Sequence, residues 1–214
     1  MKQTFDDLID YLGTINGYYL PKFSEIPENI KMEETINYLN ETLAPFYNDD
    51  NNLVTNYMIN NYVKAKIISS PVDKLYTREQ IGYILFISLL KNITSLKNIA
   101  SLFSFDKSYE GSKEELYDFC KELEEDSFSK TSETIKEEIE KIHSSLSEED
   151  FSKKLALIAL KLYITSSSQK IIADSIMNYL NESVLPLSLL KEDKKEKMLE
   201  KKMLDKEAKK LSNR

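Results

Sequence analysis

LVTNYMINNYVKAKIISSPVDKLYTREQIGYILFISLLKNITSLKNIASLF, running from Leu53 to Phe103, is the stretch whose reading decides the fold. It joins a short Asn-rich helix, an apolar exit into Ser69-Ser70-Pro71, a loop carrying Lys74, Tyr76 and Arg78, and a long apolar helix. Thr55 stands where a hydroxyl can accept a first-turn backbone N–H, so a helix starts there. Met58, Ile59, Tyr62 and Val63 share its buried side. Asn56, Tyr57, Asn60, Asn61 and Lys64 share the opposite side, and every one of them can hydrogen bond. Asn is a poor choice for an exposed helix on propensity alone, so its recurrence here points to partners for the amides. An Asn amide matches the N6 and N7 edge of adenine in a major groove, and Lys and Tyr reach the phosphates beside it. The plainer alternative is a chain rich in Asn, Ile and Lys that fills its surface with Asn.

Working outward, Thr77 with Gln80 three residues on forms a capping box and opens a further helix. Ile81, Ile84, Leu85, Ile87, Leu89 and Leu90 make that helix apolar on nearly every turn, which marks it as a core element. Thr94 or Ser95 caps the next, with Leu96, Ile99, Leu102 and Phe103 facing inward. Upstream, Met32, Ile36, Leu39 and Leu43 recur at spacings of three and four, so a helix spans 31–44 and stops at Pro45. The polar run Tyr47 to Asn52 is expected to be an exposed connection. Phe5, Leu8, Ile9 and Leu12 share a face of a first short helix, and Gly17, Pro21 and Pro27 punctuate an irregular segment after it.

Downstream, 104–111 lacks apolar periodicity and reads as a domain boundary. Two amphipathic helices with acidic outer faces are expected at 112–125 and 131–146. Ser147 and Asp150 cap a helix containing KKLALIALKLYI, apolar over more than half its circumference and so expected to be covered on several sides. Ser166, Ser167 and Ser168 break or bend it before IIADSIMNYL. These two apolar segments are the expected core of a carboxy-terminal domain and its dimer contact. The stretch from Lys191 to Arg214 alternates Lys with Glu and Asp and reads as a solvated tail.

With only 4 Gly and 5 Pro in 214 residues, long helices with few tight turns are expected, and the fold class is all-α in the main. The net charge of -7 argues against a surface that is basic everywhere, but not against one basic face. Between Leu53 and Lys91 the cations Lys64, Lys66, Lys74, Arg78 and Lys91 face only Asp73 and Glu79, so this part is locally basic. Cys120 is the single cysteine and cannot form an internal disulfide, which fits a reducing, cytoplasmic setting. The acidic amino terminus does not look like a signal peptide, and no apolar run reaches the roughly eighteen residues of a membrane span. The sequence has no glycine-rich phosphate loop, HExxH motif or paired cysteines, and one histidine, His143, would have to serve every catalytic or metal role. An enzyme, a cofactor and a metal site are therefore not expected.

The order of cap, short polar helix with Tyr, two aliphatics, Pro, basic loop, Tyr-Thr-x-x-x-Ile, long apolar helix and short second helix resembles the MerR-type winged helix-turn-helix. More closely, INNYVKAKI with KLYTREQIGYILFISLLKNITSLKNI, and upstream IPENIKMEETINYLNETL, is similar to a family of Firmicute proteins described as a domain of unknown function (1836) with such a head. The resemblance covers about residues 25 to 105. It implies a recognition helix at about Thr55 to Ala65 and a wing at about Ser70 to Tyr76. The residues it places toward DNA are Thr55, Asn56, Tyr57, Asn60, Asn61 and Lys64 from the helix, and Lys74, Tyr76 and Arg78 from the wing and its base. In one respect the chain departs from the pattern: such heads place Gly just after the recognition helix, where Ala65-Lys66 stands here. A left-handed cap without Gly costs up to roughly 1 kcal/mol.

The expected organisation is an amino-terminal arm at 1–30, the head at 31–105, a helical dimerisation and regulatory domain at 106–190, and the charged tail at 191–214. The expected function is a sequence-specific, dimeric, DNA-binding transcriptional regulator, with double-stranded DNA, a second copy of the chain and a small-molecule effector as partners, and no membrane. The alternative is a protein interaction module on a winged-helix scaffold that does not bind DNA.

Overall fold

The computed structural model describes residues 4–15, 17, 19–46, 54–104 and 111–183. The domain boundary expected at 105/106, the polar run Tyr47 to Asn52 and the tail at 191–214 lie outside them. The chain divides by its internal contacts into two units, Met1–Ser168 and Gln169–Arg214. Among the described residues the secondary structure is helical apart from one two-stranded sheet.

In the first unit, α1 (Phe5–Ile15) begins behind Thr4, whose N–H and hydroxyl donate to Asp7 Oδ2 at 2.8 and 2.7 Å while the Asp7 N–H returns a bond to the hydroxyl at 3.2 Å. A turn of 3-10 helix at Phe23–Glu25 leads through β1 (Ile30–Lys31) into α2 (Met32–Leu43). The elements α3 (Asn56–Lys64), β2 (Leu75–Tyr76), α4 (Arg78–Leu90) and α5 (Leu96–Ser104) follow. The strands run antiparallel, with Ile30 opposite Tyr76 and Lys31 opposite Leu75. This long-range pair ties the start of α2 to the start of α4.

The principal core forms around α4, whose Ile81, Ile84, Leu85 and Ile87 have no exposed surface. An apolar side chain at nearly every turn must be covered on all sides. Leu39 and Leu43 of α2, Ile59 and Tyr62 of α3, Ile99 of α5, and Leu20 and Ile26 from the irregular segment supply that cover. Each fully buried aliphatic contributes about 1.5–3 kcal/mol. The spacing rules therefore find the buried faces of α2, α3 and α4 correctly.

The acidic region differs from expectation. Residues Lys113–His143 form one helix, α6, where two were expected. The intervening Asp126 to Lys130 contains neither Gly nor Pro, Ser127 Oγ donates to the Leu123 carbonyl at 2.7 Å, and Lys130 pairs with Asp126 one turn back. Such i,i+4 pairs carry a helix across a stretch that lacks an apolar stripe. Tyr117 of α6 is buried in the core around α4, and Asp118 Oδ1 accepts the Phe23 N–H at 2.8 Å. Farther along α6, Ile135 and Ile139 meet Ile158 of α7 (Glu148–Ser183) and the expected face of α1, namely Phe5, Leu8, Ile9 and Leu12. The His143 ring stacks on Phe5 at 3.6 Å.

The three serines at 166–168 do not break α7; the Ser168 hydroxyl bonds back to the Ile164 carbonyl at 2.9 Å. The helix is also far less covered than its composition suggests, since Leu157, Leu160, Leu162, Tyr163 and Ile164 are exposed and Ile158 alone is buried between 151 and 168. In the second unit the described residues are the last turns of α7, where Lys170 pairs with Asp174 at 2.5 Å, Met177 is buried, and Ile171, Ile172, Ile176 and Tyr179 are exposed. No helix among the described residues is long and apolar enough to cross a membrane.

One buried acid gives the fold a pH dependence. Both carboxylate oxygens of Glu124 on α6 are shut off from solvent, and burial pushes its carboxyl up to about 7, against a smaller downward pull from the Leu20 backbone and Lys121. The fold thus prefers the protonated form, so this site favours folding below the ordinary carboxyl value of 4.5 and withdraws that contribution as the pH rises through about 7. Thermal melts of Glu124→Gln and the parent chain are expected to coincide near pH 4.5, with the variant melting higher by pH 8 at about 2–4 °C per kcal/mol.

Candidate nucleic-acid interface

α3 is amphipathic in a particular way. Ile59 and Tyr62 are buried, while Asn56, Tyr57, Asn60 and Lys64 lie exposed on the other side and Asn61 is half-buried at its border. Tyr57 is 74% exposed, far more than packing requires of a large aromatic. Thr55 acts as the N-cap, its hydroxyl accepting the Met58 N–H at 3.3 Å, so its role is to start the helix. Within the exposed face Asn60 Nδ2 donates to Asn56 Oδ1 at 2.5 Å, which orients both amides while leaving each with further donor or acceptor capacity.

The carboxyl end of α3 retains the left-handed cap in the absence of glycine. Lys66 has φ 57°, its N–H donates to the Val63 carbonyl at 2.9 Å, and the Ile67 N–H donates to the Tyr62 carbonyl at 3.0 Å. These paired bonds form a Schellman motif with Lys66 at the position usually taken by Gly. Where a wing was expected the chain makes a tight hairpin, in which the Leu75 N–H donates to the Val72 carbonyl at 2.8 Å and Val72 bridges Leu75. Asp73 and Lys74 occupy the two central positions with φ 49° and 66°, the double positive φ of a type I′ turn. Lys74 is exposed at the hairpin tip.

Two buried or half-buried amides hold these exposed pieces to the core. Gln80, 4% exposed, accepts the Thr77 N–H through Oε1 at 2.9 Å, while its Nε2 donates to the Ser69 carbonyl and hydroxyl, each at 2.9 Å, and to the Ser70 carbonyl at 3.2 Å. The sequence shows the capping box but not this second use of the same side chain. Asn40 of α2 clamps the approach to α3, accepting the Val54 N–H at 2.7 Å and donating to the Val54 carbonyl at 3.1 Å. Nothing in the local pattern around Asn40 announces that contact.

Two expected contact residues are diverted inward. Tyr76 is 2% exposed because its pairing opposite Ile30 turns it into the core, and burial raises its hydroxyl above the ordinary range. Arg78 donates through Nε to the Ile26 carbonyl at 2.8 Å, lies 3.6 Å from Glu28 and sits over the Phe23 ring, so it fastens the segment before β1 onto α4. Burial also lowers Lys91 from its ordinary range. Of the locally basic set, Lys64, Lys66 and Lys74 are the exposed members, on the end of α3 and on the hairpin that follows. Lys66, exposed and placed by the cap, was not among the expected contact residues. Among the described residues no cluster of His, Cys, Asp and Glu is arranged to hold a metal ion.

Residues 21–120 match the family described as "Domain of unknown function (DUF1836)". That span runs from the irregular segment before β1 through α5 and into α6 as far as Cys120. No curated protein and no solved structure matches the chain.

The cap at Lys66 generates a stability test. Lys66→Gly relieves a left-handed conformation that disfavours a Cβ, and is expected to stabilise the fold by about 0.5–1 kcal/mol in urea denaturation. Lys66→Ala, which keeps the Cβ, is expected to gain far less.

Proposed function

We propose that the chain is a sequence-specific DNA-binding transcription regulator with a MerR-like winged helix-turn-helix head, acting as a homodimer in the cytoplasm. The observation that carries this reading is the exposed face of α3, where Tyr57, the Asn56–Asn60 amide pair and Lys64 stand opposite the buried Ile59 and Tyr62. Asn60 and Asn61 are the base readers, each able to meet an adenine edge, and Lys64, Lys66 and Lys74 set the head on the phosphates. Tyr76 and Arg78 act from behind, as core and as fastening.

So few exposed cations give one head a weak electrostatic hold, so two heads must act together. Support for pairing comes from the uncovered apolar side chains of α7, Leu157, Leu160, Tyr163 and Ile164 in the first unit and Ile171, Ile172, Ile176 and Tyr179 in the second. Large apolar side chains left exposed within each unit mark an interaction site. The same side chains are what favours the rival reading, an interaction module that binds another protein and no DNA.

Selection of bound duplexes from a random library separates the two readings: the regulator enriches a two-fold motif whose log affinity falls linearly with log salt, and the module enriches none. With the motif in hand, Asn60→Ala or Asn61→Ala is expected to relax preference at one base pair by about 1–3 kcal/mol. Lys64→Ala or Lys74→Ala instead weakens all sequences alike and lowers the salt slope by about 1. Equal behaviour of the two classes would contradict the assigned roles.

The pairing is tested by sedimentation velocity. The parent chain is expected to run as a dimer, and Ile164→Glu or Ile171→Glu as a folded monomer with weakened duplex binding.

A further inference from the structure

A cavity of about 240 Å³ lies between the turn at Phe23, helices α4 and α5, and the first turns of α6. Its wall is apolar in the main and carries five rings, those of Phe23, Tyr83, Phe86, Phe103 and Tyr117. These rings are held by one another: Tyr117 lies 5.6 Å from Phe23 and 5.1 Å from Phe86, and Tyr83 lies 4.8 Å from Phe103. Gly82 sets the depth, since a Cβ there would come within 3.0 Å of the Tyr117 ring and push it away from α4. The wall is therefore fixed by packing.

The charged groups on the wall cancel. Glu79 of α4 and Lys113 of α6 pair with each other, leaving a partly open apolar hollow with Cys120 at its side. A net charge brought inside would lose its hydration without a partner, which selects a neutral occupant. An apolar cavity of about 150 Å³ takes a benzene ring, so this larger space has room for two fused rings. Ring walls favour a flat aromatic occupant, which can stack on some faces and meet others edge-on. A void of this kind also leaves its lining short of contacts, so filling it adds stability.

We propose that this cavity is a binding site for a neutral, planar aromatic molecule of one or two fused rings. The site stands on its own geometry, independently of whether α3 reads DNA. Because its walls come from α4 and α5 on one side and α6 on the other, the occupant joins them.

Cys120, the chain's single cysteine, is a built-in reporter. Indole is titrated into the full-length chain by calorimetry, with benzoate as the charged counterpart, and alkylation of Cys120 is timed alongside. The expected result is saturable one-to-one uptake of indole, at least tenfold weaker uptake of benzoate, a higher melting temperature, and alkylation slowed about tenfold at ten times the dissociation constant. Cys120→Phe and Leu116→Trp, each adding bulk to the wall, are expected to abolish uptake. Absence of saturable uptake up to the solubility of indole would overturn the proposal. So would uptake that leaves Cys120 unprotected or persists unchanged in a folded filled variant; the protection measurement needs no variant and decides the matter if neither folds.

Discussion

The exposed face of this protein depends on one neutral amide. Gln80 sits at the start of the core helix α4 and spends both ends of its side chain on backbone, Oε1 on Thr77 and Nε2 on Ser69 and Ser70. The first bond caps the core helix and the second fixes the path by which the chain leaves α3 and enters the hairpin. One side chain thereby couples the core helix to the end of α3 and to the hairpin that follows it. A carboxylate of similar shape could take the first bond and would repel the second pair of oxygens. The amide is the side chain that serves both, and being uncharged it does so at any pH.

The same economy shows in the cations. In an acidic chain, a basic surface has to be assembled from few residues, and the fold spends Arg78 internally on the Ile26 carbonyl and Glu28. Two of the exposed lysines of this region, Lys66 and Lys74, occupy left-handed backbone positions that are unusual for lysine. Charge is thus kept at Lys66 and Lys74 despite local strain, where Gly or Asn would be the easier residue. That retention is understandable if the charge itself has a use.

Much of this was legible in the sequence because the signals are local. Thr55, Thr77 with Gln80 and Ser147 with Asp150 sit three residues apart from their partners, and the caps form where the spacing puts them. The apolar stripes of α2, α3 and α4 are equally short-ranged. What escaped is what depends on distant partners. Tyr76 faces inward because Ile30 lies opposite it, and Arg78 is captured by a carbonyl at Ile26; neither neighbour can be read from the loop that carries them. The continuity of α6 escaped for another reason, since ion pairs and serine back-bonds maintain a helix without leaving an apolar period. The apolar content of α7 suggested an internal core, and the side chains left uncovered show that composition reports a need for cover without naming what provides it.

The Asn40 clamp on Val54 makes α2 the foundation of α3. By gripping both backbone polar atoms of the residue that precedes the Thr55 cap, one amide fixes where α3 begins, and it does so from a helix whose own Leu39 and Leu43 are locked in the core. The start of α3 is thereby set from α2 and the exit from α3 is set from α4 through Gln80, so each end of this short helix answers to a different core helix.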